Sequence, residues 1–203
     1  SNLPLAENIA SKLGVPLDTT QITRFSNDNL YIQLGASVRY RRVYIVQSLS
    51  QPVNDHLMEL LMMIDIARGA AASEIHAIIP YYSFGRSDKK DAPRISITAR
   101  LVADLLKTAG ATHVMSMMFH SPQVHGFFGI PTDPLSSRPV FKEYLLKRNL
   151  SGAIIVAPDS MRGNWSSPEN ERAVNALLDM VLAGYSVDTK KLAVTGFSMG
   201  GAG

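Results

Sequence analysis

Short β-branched runs alternate with longer amphipathic runs along most of this chain, and that alternation restricts the fold more than any other feature. Val43-Tyr-Ile-Val-Gln47, Ile75-His-Ala-Ile-Ile79, His113 to Phe119 and Ala153 to Val156 have the length and composition of buried strands. Between them, residues from Asn54 to Gly69, Ile97 to Ala109 and Pro139 to Arg148 place apolar side chains at helical spacing, with Gly69 and Gly110 standing where helices end. Strands separated by helices of this length predict an α/β fold, a parallel sheet covered on both faces with right-handed crossovers. Leu5 to Leu13 predicts a leading helix ended by Gly14. Gln21 to Phe25 and Leu30 to Leu34 predict two short strands around the turn Ser26-Asn-Asp-Asn29. On the helix after Pro52, Leu57, Leu60, Leu61 and Ile64 form one stripe and Met58, Met62 and Met63 another, which predicts burial on nearly all sides.

Composition narrows the functional classes. With 203 residues, 46% apolar content and 18% charge, the chain can bury one good core, or one domain and part of a second. The net charge of +3 is spread out, its densest basic cluster being Arg39-Tyr-Arg41-Arg42. That argues against a nucleic-acid surface and leaves room for a small anionic partner. Cysteine is absent, which excludes disulfides, zinc-thiolate sites and a cysteine nucleophile and fits a reducing compartment. No apolar run reaches the ~20 residues that span a bilayer, and no basic-then-apolar signal pattern opens the sequence. The expectation is a cytoplasmic protein with no membrane partner.

In open parallel sheets, ligands bind beyond the C-terminal ends of the strands, where the strand order reverses. Three polar groups stand at such ends. In the loop Pro80-Tyr-Tyr-Ser-Phe-Gly-Arg86-Ser-Asp88-Lys-Lys-Asp91, Arg86 offers a planar fork for phosphate or a purine face. Asp88 and Asp91 could hold magnesium-bound water, and Lys89 and Lys90 supply point charges. His120 ends the next strand and Asp159 the one after. A solvated turn, a hydrogen-bonded structural histidine and a plain turn acid would present the same residues. His56, His76, His113 and His125 carry only structural readings.

Residues from about Ser1 to Asp159 resemble the N-terminal domain of ribose-phosphate pyrophosphokinase, the phosphoribosyl pyrophosphate (PRPP) synthetase family. The stretches that carry the resemblance are Pro4-Leu-Ala-Glu-Asn-Ile-Ala10, Arg24-Phe-Ser-Asn27, Val43 to Ser48, Pro52 to Leu61, the Pro80 to Arg94 loop, Ile97 to Leu106 and His120-Ser-Pro-Gln-Val-His-Gly-Phe-Phe128. The resemblance implies a phosphoribosyltransferase-like three-layer sheet. It also implies transfer of the diphosphoryl group of ATP to ribose 5-phosphate, with Mg2+, to make PRPP for nucleotide biosynthesis. Homo-oligomers follow from it too, dimers that build hexamers.

By position, Phe25, Asn27 and Asn29 match residues that hold adenine from a neighbouring subunit. Arg86 and Ser87 match the ATP-contacting pair, with Asp91 late in the same loop. His120 matches a catalytic and metal position near Mg2+ and the triphosphate, and Asp159 matches the catalytic acid at the ribose-phosphate and metal end. Asn29, Met118 and Gly129 stand where the family carries carboxylates, and Ser87 replaces its usual glutamine. The family's opening strand, its flexible catalytic loop and its 5-phosphate loop are not found, so the resemblance implies an incomplete enzyme.

Beyond Asp159, Arg162-Gly-Asn-Trp165, a helix from Glu171 to Ala183 and Leu192-Ala-Val-Thr-Gly-Phe-Ser198-Met-Gly-Gly201 resemble the elbow segment of an α/β-hydrolase esterase, with Ser198 as nucleophile. That reading lacks the acid and histidine that should follow the serine. A division at residues 1–159 and 160–203 is expected, with an extra C-terminal βα unit on the sheet. Three readings stay open: a diphosphokinase domain, an esterase fragment, and a non-catalytic subunit or chimeric scaffold.

Overall fold

Period-two alternation sorts the strands into a buried and an open face. The computed structural model describes residues 2–117, 119–156 and 167–193. In it, β3 (Arg42–Val46), β4 (Glu74–Ile79), β5 (His113–Met117) and β6 (Thr132–Leu135) form one sheet in chain order, every neighbouring pair parallel. Ile75, Ala77 and Ile79 of β4 are buried, while Glu74, His76 and Ile78 take the other face. The buried face packs with α2 (Val53–Gly69) and α3 (Thr98–Ala109) through Leu60, Ile64, Ala67, Ala99, Val102 and Leu106, residues spaced three and four apart on each helix. Gly110 ends α3 at φ 122°, donating its N–H to the carbonyls of Leu106 and Lys107; a Cβ there would lie 2.5 Å from Arg68 Cδ. Ile64→Val in this core is expected to cost about 0.5–1.5 kcal/mol in a urea melt, because one buried methyl leaves a small void.

An N-terminal helix, α1 (Leu3–Leu13), starts where the Asn2 side chain accepts from Leu5 N–H at 3.1 Å and stops at Gly14 with φ 66°. β1 (Gln21–Arg24) and β2 (Leu30–Gln33) form an antiparallel hairpin. Arg24 ties it to α2 by a 2.7 Å ion pair with Asp55. The short α4 (Pro122–His125) follows β5, and α5 (Arg138–Leu146) follows β6.

Four expectations need correction. α2 is not buried all round: Met58 is 51% exposed, because both helices lie on one face of the sheet and leave the outer side of α2 uncovered. The strand order does not reverse among the described strands. Residues 153–156 pair with no strand among the described residues, and Ile154, Ile155 and Val156 are exposed, since a β-branched run without a hydrogen-bonding neighbour gains nothing from extension. β6 was not foreseen, because Asp133 and Pro134 are poor strand formers; parallel pairing with β5 at the sheet edge holds it.

The chain divides into two compact units, Ser1–Lys147 and Arg148–Gly203. In the second, α6 (Pro168–Gly184) covers the expected 171–183 helix. It begins at Ser167, whose hydroxyl accepts from Asn170 N–H at 3.3 Å, with Glu169 and Glu171 in its first turn. A 3-10 turn, Thr189–Lys191, follows. Asp159, Ser198, Met118 and the elbow around Ser198 lie outside the described residues. No helix among the described residues is long and apolar enough to cross a membrane.

Candidate functional site

β4 and β5 are adjacent and parallel, so the loops that leave them emerge at the same end of the sheet. After β4 the chain enters a 3-10 turn, Ser83–Arg86, that leaves Arg86 exposed. The loop is anchored below by Tyr82, which is 5% exposed and donates its hydroxyl to the Ala99 carbonyl at 2.7 Å. Its ring meets Phe119 and Phe128 at centroid distances of 5.6 and 5.7 Å. Burial pushes the Tyr82 phenol well above its ordinary range, with Asp104 adding to the shift.

Asp88 joins the two loops. One of its carboxylate oxygens accepts from the Ser121 hydroxyl and from Gln123 Nε2, the latter at 2.8 Å, so the segment after β4 is clasped to the segment after β5. The Ser121 hydrogen bond holds the Asp88 carboxyl below its usual range against the opposing effect of burial; its own backbone N–H and the charges of His120 and Lys89 help. The same convergence brings Gly85 against His120: a Cβ on Gly85 would lie 3.5 Å from His120 Cβ and N. Arg86 and His120, assigned separately from the sequence, are therefore neighbours at one sheet end. Lys89, Lys90 and Asp91 are exposed alongside.

Two expected ligand groups also make hydrogen bonds within the protein. Ser87 points into its own loop, donating to the Ser96 carbonyl at 3.1 Å and accepting from Thr98 N–H at 3.2 Å, so it latches the loop to the start of α3. Asp88, expected to hold magnesium-bound water, accepts from Ser121 and Gln123 through one carboxylate oxygen. The clasp partners Ser121 and Gln123 had no role from sequence; their only signal is that they follow His120 directly.

Phe25, Asn27 and Asn29 sit together at the tip of the β1–β2 hairpin. Phe25 and Asn29 close it with a 2.9 Å backbone bond, Asn29 N–H donates to Asn27 Oδ1 at 3.3 Å, and the Phe25 ring packs 6.2 Å from Tyr31. Phe25 is 52% exposed. The hairpin tip presents an exposed aromatic beside two amides.

Among the described residues, no three histidines or carboxylates converge as a metal cluster. His120 and Asp91 are single exposed groups on the rim. Such a rim fits Mg2+ only as an ion carried in with substrate phosphates, since this metal keeps several waters and takes one or two protein ligands. Taken together, a guanidinium, two ammonium groups and an imidazole at one sheet end suit a small polyphosphate anion.

Comparison with known proteins points the same way. The family model for the N-terminal domain of ribose phosphate pyrophosphokinase matches residues 1–110. The chain is 51% identical over 162 residues to a ribose-phosphate pyrophosphokinase of Deinococcus radiodurans, covering 79% of this chain and 51% of that protein. To the Bacillus subtilis enzyme of the same name it is 46% identical over 159 residues, covering 78% of this chain and 50% of the relative. A crystal structure of phosphoribosylpyrophosphate synthetase from Mycobacterium smegmatis superposes with a TM-score of 0.70 at 37% identity, over 73% of this chain and 50% of that one. The chain thus spans about half the length of the curated relatives it matches. Through its first 110 residues, its parallel sheet and the loops at one end of that sheet, this chain belongs to the ribose-phosphate pyrophosphokinase family.

Proposed function

We propose that this chain is the nucleotide-binding half of a ribose-phosphate diphosphokinase, which transfers the diphosphoryl group of ATP to ribose 5-phosphate to yield PRPP in the cytoplasm. The observation that carries this reading is the approach of Gly85, next to Arg86 in the loop, to His120, held by the Asp88 clasp. In this scheme, Arg86 grips phosphate oxygens with a planar fork, and Lys89 and Lys90 neutralise the remaining charge. His120 stands at the triphosphate with Asp91 on the same rim; Asp159, outside the described residues, keeps the catalytic and metal role that the family resemblance implies. Mg2+, bound with the phosphates, would supply further charge neutralisation. Phosphoryl-group transfer depends mainly on positioning and charge, and a fixed rim of this kind provides both.

Phe25, Asn27 and Asn29 project from the hairpin as an adenine-binding edge for a neighbouring subunit, which makes the working form a homo-oligomer. By resemblance, residues 1–159 belong to this half and 160–203 to a separate segment, a boundary drawn on sequence and distinct from the division of the compact units after Lys147. Nucleotide binding is assigned to this chain, and completion of the transfer to the half of its relatives' length that it does not match.

Calorimetric titration with Mg-ATP tests the reading. Binding by the wild type and a loss of about tenfold or more in Arg86→Ala are expected, the size of a hydrogen bond to a charged group. Equal, negligible heat from both proteins at millimolar nucleotide would refute it.

A further inference from the structure

The open face of the sheet carries a cluster unrelated to the Arg86 loop. In register across three strands stand Tyr44 on β3, His76 on β4 and His113 on β5. The Tyr44 ring stacks on His76 at 4.5 Å and 10°. His76 Nδ1 and His113 Nδ1 face each other at 3.0 Å. The opposite nitrogen of each ring is taken: His76 Nε2 lies 2.9 Å from Glu74 Oε2, and His113 Nε2 lies 3.1 Å from Asp133 Oδ2.

The hydrogen bookkeeping of this row is closed at both ends. An ionised carboxylate only accepts, so both Nε2 atoms donate. In neutral imidazoles that leaves both Nδ1 atoms as lone-pair acceptors, opposed at 3.0 Å with nothing to join them. A cation between them resolves the conflict, either a proton or a metal ion. The carboxylate behind each imidazole is the arrangement that fixes the tautomer and raises ligand basicity in histidine metal sites. With metal–nitrogen bonds of about 2.0–2.1 Å, a 3.0 Å separation of nitrogens gives an angle near 90°, that of adjacent positions in tetragonal or octahedral coordination.

We propose that His76 and His113 form a two-imidazole site for a borderline divalent transition metal, copper or nickel ahead of zinc, with Glu74 and Asp133 orienting the rings. No third histidine or carboxylate converges there among the described residues, so water or an exogenous ligand fills the remaining positions and the ion exchanges readily. The imidazoles are 16% and 19% exposed, which leaves an entry path from the open face. Glu74 and His113 open their strands, so the pair lies toward the N-terminal ends, away from the end that carries Arg86 and His120.

The test is titration of the metal-stripped chain with Cu2+ in a non-coordinating buffer, followed by calorimetry and electron paramagnetic resonance. The wild type is expected to take up one equivalent, with a spectrum showing two nitrogen donors, that His76→Asn/His113→Asn lacks. Glu74→Gln and Asp133→Asn are each expected to weaken binding by about tenfold to a hundredfold, and His125→Asn to leave it unchanged. Far-UV circular dichroism and the melting temperature establish that each variant is folded; Glu74→Gln provides a milder probe should the double variant fail. Uptake equal in wild type and double variant would overturn the proposal. So would no uptake by the wild type, which would leave a shared proton as the only bridge.

Discussion

Asp88→Ala is expected to weaken Mg-ATP binding by on the order of a hundredfold, more than removal of Arg86 itself. The substitution takes away the acceptor shared by Ser121 and Gln123 and so unfastens the loop after β4 from the segment after β5. Arg86 and His120, neighbours only because these segments meet at Gly85, are then misplaced together. Calorimetry with Mg-ATP measures the loss, and a melt distinguishes it from global unfolding, since the clasp lies outside the helix–sheet core. Full binding in a folded Asp88→Ala protein would mean that the loops hold their places without the clasp.

The same carboxylate sets a pH signature. Its folded-state pKa is depressed, chiefly by the Ser121 hydrogen bond, so its contribution to stability is complete above the unfolded value of about 3.9 and is lost as pH falls through the lower folded value. An acid titration followed by fluorescence should show a limb in the wild type that Asp88→Asn removes.

Tyr82→Ala is expected to destabilise the first unit by about 3–5 kcal/mol in urea melts, the range for deleting a buried aromatic ring. The loss has two sources. The void falls between Phe119 and Phe128, whose rings lie 5.3 Å apart, and the floor of the Arg86 loop goes with it. Tyr82→Phe separates them: the packing stays, and only the hydroxyl bond to the Ala99 carbonyl is lost, for about 1 kcal/mol. Alkaline titration adds a second readout. The Tyr82 pKa is raised in the folded state, so its contribution is complete below the unfolded value near 10 and declines as pH rises toward the higher folded value. Tyr82→Phe should lack that alkaline decline.

The parts of this molecule that could be read from its sequence are those governed by local pattern. Ile75 to Ile79 declares itself by alternation and β-branching, and Ile97 to Ala109 by helical spacing and the glycine after it; the structure differs from both by one residue at the start. The Arg86 loop and His120 were legible as chemistry at strand ends. Illegible were features decided by distant partners. Asp88 looked like a free ligand because Ser121 is 33 residues away, and the pairing of His76 with His113 spans 37. Residues 153–156 have the composition of a strand but no pairing neighbour among the described residues, whereas 132–135 contain Pro134 yet form one because β5 offers its edge. Strand formation depends on a partner as much as on the segment itself.

The sheet laid down in chain order has a consequence for how the protein comes into being. Each of its strands after the first adds to an edge that already exists, and no neighbouring pair is registered across more than 37 residues. Loop-closure entropy is thereby met in modest, successive steps. A chain emerging from the ribosome can close β3 on β4 before β5 has been made. The first unit is suited to folding while it is being synthesised, its growing edge advancing in the direction of translation.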